Sequence, residues 1–188
     1  MDVSLTAVLA GLGLSGAAGL NAWLPAFAAA LLTRLDVVQM GEPFDELSST
    51  PALIVLGLLM VGDFVGDKIP AIDHVLHFVG MVVAPVAGTA LFHGQIEADE
   101  SASLLASVLG GGTVATVVHT ARAALRPLSS ATTLGVGNPV LSLIEDAGSA
   151  SLTVAAFLIP VLAVIGVVAI VAGAFVIWRR RRRRPLPR

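Results

Sequence analysis

A series of long apolar runs constrains the fold of this chain more than any other feature. These runs occupy residues 3–33, 51–66, 71–92, 101–125 and 151–178. A helix needs about 20 apolar residues to cross the ~30 Å hydrocarbon core of a bilayer. Hydrophobic residues make up 56% of the chain and charged residues only 13%, which is about half the charge of a typical soluble domain. The sequence therefore predicts an all-α integral membrane protein and excludes secreted, disordered, coiled-coil and nucleic-acid-binding proteins.

The apolar runs predict about six transmembrane helices in a single membrane domain, residues 1–178. The first run, 3–33, is too long for one upright helix and contains Asn21 and Pro25, so we expect it to tilt strongly or to break near Asn21. The segment 139–149 is too short to cross alone, unless it continues into neighbouring sequence. Five crossings plus a re-entrant segment are therefore the alternative to six.

The distribution of charge predicts the orientation. A basic tail, residues 179–188, starts with six consecutive arginines from Arg179 to Arg184, although the net charge of the whole chain is −2. The positive-inside rule places this tail in the cytoplasm, where it is expected to bind anionic lipid headgroups at about 1 kcal/mol per arginine. Six crossings would also place the N-terminus in the cytoplasm and the loops 34–50 and 93–100 outside. The predicted location is multi-pass in the plasma membrane.

The two halves of the membrane domain, residues 1–92 and 101–178, show the same order of features. Each half has a Gly-rich helix, a loop, an apolar run that ends in acidic residues, and a span that contains proline. Three crossings per half would give two inverted three-helix halves, as in transporters whose sites lie where broken helices meet. The alternative is that small segments rich in Gly, Ala and Val look alike by composition.

The first polar cluster follows the second apolar run. Asp63 and Asp67 are four residues apart and share a face of a helix, and Lys68 can neutralise one of them. An ionisable side chain at membrane depth is costly and marks a functional site by default. We expect Asp63 and Asp67, with His77, to bind a cation or to relay protons. The alternative is that Asp67 and Lys68 only mark a cytoplasmic turn.

The second polar cluster is Asn138, Glu145 and Asp146. Asn138 precedes Pro139, which predicts a helix with Asn138 as its cap and proline at its first position. Glu145 and Asp146 end the same short apolar stretch, where they could coordinate a cation or be charges of an outer loop.

The third polar cluster contains His119 and Arg122, three residues apart on one helical face. This face is predicted near the cytoplasmic end of the fourth span, where it could meet Asp63 or Asp67. An arginine fork also binds phosphate or carboxylate groups well. Contact of the arginine with lipid headgroups is therefore the alternative.

These clusters together define a predicted substrate- or ion-binding site: Asn21, Asp63, Asp67, Lys68, His119, Arg122, Asn138, Glu145 and Asp146. A metal ion would be held by Asp63, Asp67, His77 and Glu145. The chain has no cysteine, which excludes a thiolate metal site, and no cofactor is expected. It also lacks a phosphate-binding Gly loop, a nucleophile elbow and a His-Glu-x-x-His pair, so no enzymatic activity is predicted.

Four motifs carry a resemblance to a known family. They are Gly19-Leu-Asn21-Ala-Trp23, Gly66-Asp67-Lys68-Ile-Pro70-Ala-Ile-Asp73, Pro85-Val-Ala-Gly88 and Gly137-Asn138-Pro139-Val-Leu-Ser-Leu-Ile-Glu145-Asp146. In this order they resemble the bacterial membrane family called domain of unknown function 4126, over nearly the whole chain apart from the tail. The resemblance implies a small polytopic membrane protein and assigns no activity.

A second likeness is to cation exchangers that carry Glu-x-Gly-Asp-Lys/Arg-Ser/Thr in each of two three-helix repeats. The segment Gly66-Asp67-Lys68 is similar to the middle of that motif. Phe64 stands where the acid would be and Ile69 replaces Ser/Thr, but Asp63 lies nearby and could substitute for the acid.

The leading hypothesis is a transporter or channel-like protein for a cation or a proton-coupled small solute. One alternative is a non-transporting structural subunit, whose Gly-rich faces would dock in a homo-oligomer or against a membrane partner. Another is a protein that binds lipid headgroups. The expected partners are the bilayer and its anionic lipids, and no nucleic acid.

Overall fold

The computed structural model describes residues 5–96, 100–133 and 137–182, and its elements there are helical. In chain order the helices are α1 (Leu5–Leu20), α2 (Trp23–Arg34), α3 (Phe44–Leu47), α4 (Thr50–Gly66), α5 (Pro70–Gln95), α6 (Glu100–Ser107), α7 (Thr113–Thr133), α8 (Asn138–Leu158) and α9 (Pro160–Arg182). A π-helical segment, Val108–Gly112, joins α6 to α7 without a break. Residues 100–133 thus form one continuous helical rod.

Within the part of the chain that the structure describes, four helical segments are long and apolar enough to cross a membrane: Val75–Gln95, Leu104–Ala124, Asn138–Leu158 and Pro160–Arg180. The helices α1 and α4 are apolar but shorter. Large apolar side chains on the outside of the bundle, such as Leu58 and Val82, are exposed, as expected for surfaces that face lipid. The structure is therefore that of a helical membrane protein, with four long spans and two shorter apolar helices.

The first apolar run breaks at Asn21, as its sequence predicts. The helix α1 ends at Leu20, and the side-chain Oδ1 of Asn21 accepts hydrogen bonds from the backbone N–H groups of Trp23 and Leu24, both at 3.1 Å. These N–H groups at the start of α2 have no intrahelical partner. Asn21 therefore ends one helix and caps the next.

The helix α1 lies at the centre of the bundle. The contacts of its glycines show the directions of the neighbouring helices. Gly13 lies against Ala163 and Gly16 against Val167, so α1 runs parallel to α9. Gly13 also lies against Ala156 of α8. We call the membrane face where α9 ends the tail face, and the opposite face the loop face.

The helix α2 returns from Asn21 to the loop face. A recess of about 830 Å³ there is lined by Thr6 at the start of α1, Thr33 near the end of α2 and Gln95 at the end of α5. The helices α1 and α2 are thus the two arms of a hairpin, and the described residues Leu5 and Arg182 lie at opposite ends of the bundle. The orientation of the termini and the number of crossings stay predictions.

The segment after residue 138 forms a longer helix than its short apolar stretch indicates. The helix α8 runs without a break from Asn138 to Leu158, and the interruption falls at Ile159 instead of before residue 151. Proline has no N–H and disfavours helix at the residue before it, so Pro160 explains the position of this interruption. The helix α8 thus continues beyond residue 149 and is long enough to span a membrane, which the sequence allowed for. Gly137, not Asn138, occupies its N-cap position.

Candidate functional site

Arg122 of α7 lies at the centre of a buried polar network. Its Nε donates to Glu145 Oε2 on α8 at 2.7 Å, its Nη2 donates to Asp67 Oδ2 at the end of α4 at 3.1 Å, and its Nη1 donates to the Leu20 carbonyl at 2.5 Å. The two carboxylate side chains are only 1% and 7% exposed. The planar guanidinium fork suits this role because its donors point in several fixed directions.

The break after α1 supplies one of the three acceptors. Because the helix ends at Leu20, the carbonyl of that residue has no intrahelical partner, and the C-terminus of a helix carries a partial negative charge. Arg122 donates one N–H group to this carbonyl and places its positive charge beside the negative end of the helix. The bend at Asn21 and the position of Arg122 therefore depend on each other.

A second arm of the network centres on Asp146. Asn21 Nδ2 donates to Asp146 Oδ1 at 2.9 Å, and Lys68 Nζ lies 3.7 Å from Asp146 Oδ2. The ammonium group also donates to the Phe64 carbonyl and lies over the Phe64 ring, 3.5 Å from its centroid. Lys68 therefore pairs with an acid of α8, a partner that lies far from it in the sequence.

These two arms form what we call the polar hub: Asn21, Asp67, Lys68, Arg122, Glu145 and Asp146. Arg122 lies within the span Leu104–Ala124, and both acids of α8 lie within the span Asn138–Leu158. The hub contains three carboxylates and two cations, which leaves one net negative charge. Ionisable side chains are retained at membrane depth only where they are paired, and they commonly line ion or proton pathways.

A small cavity adjoins the polar hub. Its polar lining consists of Asp63, Asp67, His77, His119 and Arg122. Its volume of about 20 Å³ is enough for one water molecule. The rings of His77 and His119 stack with centroids 5.4 Å apart and an interplanar angle of 13°, and the buried Nε2 of His119 has no hydrogen-bond partner among the described residues.

The structure thus brings together residues that lie in three separate clusters of the sequence. Asn138 is the exception among the predicted binding residues, because it lies seven residues before Glu145 on α8, about 10 Å along the helix axis. Within the described residues, no three His, Asp or Glu side chains are placed to hold a metal ion together. The predicted metal site of Asp63, Asp67, His77 and Glu145 therefore finds no support in this arrangement.

A tightly packed layer separates the polar hub from the recess at the loop face. Ser15 Oγ donates to the Gly88 carbonyl at 2.8 Å. A Cβ on Gly88 would lie 2.5 Å from the Cβ of Ala115 and 2.7 Å from the Gly111 carbonyl. Only glycine fits where the backbones approach so closely. The cavity at the hub is closed toward the loop face by this layer.

Two serines contribute contacts that sequence reasoning missed. Ser149 Oγ of α8 donates to the Ala17 carbonyl at 3.0 Å, and Ser15 joins α1 to α5 through the bond described above. Both are fully buried. The signal in the sequence is a hydroxyl residue on a face made of glycine and alanine, which is typical of helix contacts in membranes.

A family model described as domain of unknown function (DUF4126) matches residues 8–180 of the 188-residue chain. The chain belongs to this family. The match includes every residue of the polar hub and confirms the resemblance carried by the four motifs. No curated protein and no solved structure matches the chain. Membership in DUF4126 assigns no activity to the chain.

Proposed function

We propose that this DUF4126 protein is a transporter or channel-like protein for a cation or a proton-coupled small solute, with the polar hub as its site. The observation that carries the proposal is the position of Arg122 at membrane depth, bonded to acids of two other segments. These bonds meet where the chain is broken at Asn21 and again at Asp67. Transporter sites are typically formed where discontinuous helices meet near the middle of the membrane.

The position of the recess supports a transport route. The recess opens at the loop face and has Asp36 and Asp45 in its lining, so it presents negative charge to entering cations. Among the described residues, the layer around Ser15 and Gly88 separates the recess from the hub. Since that layer consists of small residues, a modest shift of α1 against α5 would connect the recess with the cavity.

The directions of the helices support two inverted halves. The helices α2 and α5 run toward the loop face, and α4 between them runs toward the tail face. In the second half the directions are reversed, because α7 and α9 run toward the tail face and α8 runs toward the loop face. Two three-helix units of opposite direction are the arrangement of inverted-repeat transporters. In this proposal α1 is an additional central helix, and the positive-inside rule places the tail face in the cytoplasm.

The lipid-headgroup alternative receives less support. The guanidinium of Arg122 already donates to two carboxylates and one backbone carbonyl. A phosphate group would have to displace a buried carboxylate, which would leave that charge uncompensated. We therefore favour a role of Arg122 within the protein.

Ion movement into liposomes tests the proposal. The purified protein is reconstituted, and the uptake of Rb⁺, Na⁺ and protons is compared with that of protein-free vesicles. We expect uptake of at least one of these ions, with a loss of at least tenfold in Glu145→Gln. Glu46→Gln is the matched control, because this exposed acid lies in the short helix α3, outside the hub. Absence of uptake above protein-free vesicles, or an unchanged rate in Glu145→Gln, would contradict the proposal.

A further inference from the structure

We propose that the ion coupled to the polar hub is a proton, and that it binds at Nε2 of His119 from the water-sized cavity. This inference rests on the proposed transport function, since it names the ion that the same site handles.

The size of the cavity favours a proton over a larger ion. A volume of about 20 Å³ admits one water molecule and little more. Inorganic cations such as Ca²⁺ need six or more oxygen ligands and Mg²⁺ needs an octahedral set, and no three acid or histidine side chains of the described residues are placed to share an ion. A proton needs only one lone pair and one water molecule.

The surroundings of His119 leave its Nε2 available. The residue is 6% exposed, it lines the cavity, and its Nε2 has no hydrogen-bond partner in the described protein. A buried polar nitrogen of this kind carries a desolvation cost unless water or a proton occupies its lone pair. Gly80 makes room for the ring, because a Cβ there would lie 2.6 Å from His119 Cε1.

Charged groups of both signs surround His119. Asp63 and Asp67 line the cavity from the end of α4, His77 from α5 and Arg122 from the same helix as His119, while Glu145 of α8 bonds to Arg122. With Asp63 included, the hub and cavity carry four carboxylates against the two cations Arg122 and Lys68. The guanidinium of Arg122 opposes an added positive charge on the ring, whereas the carboxylates that line the cavity favour it.

The step itself moves one proton and no electrons. Water at the tail face donates a proton through the cavity water to the lone pair of His119 Nε2, and the neutral imidazole becomes an imidazolium. Release is the reverse step, in which Nε2 returns the proton to water. Because His119 and Arg122 lie three residues apart on one face, the added charge repels the guanidinium and weakens its hold on Asp67 and Glu145. This links proton binding to the contacts that fix the ends of α1 and α4.

Proton flux into liposomes loaded with a pH-sensitive dye tests the inference, after an acid step outside. We expect wild-type flux to fall at least tenfold in His119→Gln. His93→Gln is the matched control and should keep the wild-type rate, because His93 contacts Ser107 at 3.3 Å near the end of α5, away from the hub. External imidazole should restore flux in His119→Ala, which a merely structural role would not produce. Should His119→Gln fail to fold, Asp63→Asn serves as the second variant with a threefold or larger loss expected.

The outcomes separate this inference from the proposed function. Uptake of Rb⁺ or Na⁺ by the wild type without proton flux, or equal proton flux in wild type and His119→Gln, overturns the inference and leaves the transport function standing. If the wild-type protein moves none of the three ions, both the proposed transport function and this inference are overturned.

Discussion

Arg122 Nε and Glu145 Oε2 lie 2.7 Å apart and join α7 to α8 inside the membrane. The same guanidinium reaches the end of α1 and the end of α4. One side chain therefore holds four segments of the chain in register. Its bonds are charge-assisted and short, and such bonds are the strongest of the hydrogen bonds found in proteins.

Replacing Arg122 with lysine should destabilise the fold although the charge is kept. An ammonium group cannot reach three acceptors in three directions, so two charge-assisted bonds are lost, at a cost on the order of 3 kcal/mol. The free energy of unfolding in detergent micelles or bicelles measures this. Arg34→Lys is the control, because exposed Arg34 makes one bond to the Ser48 carbonyl. Equal stability of the two variants would show that the fork geometry is unimportant.

The bond from Asn21 Nδ2 to Asp146 Oδ1 predicts an exchange experiment. Asn21→Asp alone keeps the cap of α2 but loses the donor and places two carboxylates together, at a cost of about 2 kcal/mol. The double variant Asn21→Asp with Asp146→Asn restores a donor and an acceptor in exchanged places. A double-mutant cycle should give a favourable coupling above ~0.5 kcal/mol. Strict additivity would mean that the two residues do not interact.

The close packing at Gly88 predicts a steric effect. Gly88→Ala should cost about 2 kcal/mol of stability, because the new Cβ would lie 2.5 Å from the Cβ of Ala115. The control Gly62→Ala has no atom within 4 Å of its new Cβ. It should be neutral or stabilise by up to ~1 kcal/mol, since alanine restricts the unfolded chain. Thermal unfolding compares the two, and a harmless Gly88→Ala would contradict the packing described.

The α1–α2 hairpin predicts an asymmetric labelling pattern. The chain has no cysteine, so single cysteines can be introduced at Leu5, Glu46 and Ile69. Leu5→Cys and Glu46→Cys should react with an impermeant maleimide from one side of the membrane, and Ile69→Cys from the other. By the positive-inside rule, the first two should label from outside intact cells. Labelling of Leu5→Cys from the same side as Ile69→Cys would mean that the first run crosses the membrane.

Sequence reasoning was strongest where one residue decides local structure. Asn21 within a run of small residues predicts the break after α1. Pro51 and Pro70 lie in the first turns of α4 and α5, where proline is favoured. The rarity of charge in an apolar chain also identifies the residues of the polar hub. In each case the chemistry of a single residue is sufficient to predict the feature.

Sequence reasoning failed where distant packing decides. Whether the break at Asn21 lets the chain continue across the membrane or turn back depends on contacts of α2 with α4, such as Phe27 with Gly57. Glu145 and Asp146 were read as the end of a short helix because the charges interrupt the apolar pattern. Pairing with Arg122 and Lys68 compensates those charges and allows α8 to continue. Which acid pairs with which cation depends on the same tertiary contacts.

The most direct test of the transport site is ion uptake by the double variant Arg122→Gln with Glu145→Gln. The two substitutions remove one charge of each sign, so Glu145 is not left as a buried charge without Arg122. Because Asp67 also loses its bond to Arg122, size exclusion and thermal unfolding first establish that the variant is folded. If the polar hub is the site of transport, this folded variant in liposomes should move Rb⁺, Na⁺ and protons no faster than protein-free vesicles. Uptake at the wild-type rate would contradict the account, because the pair would then serve the fold alone.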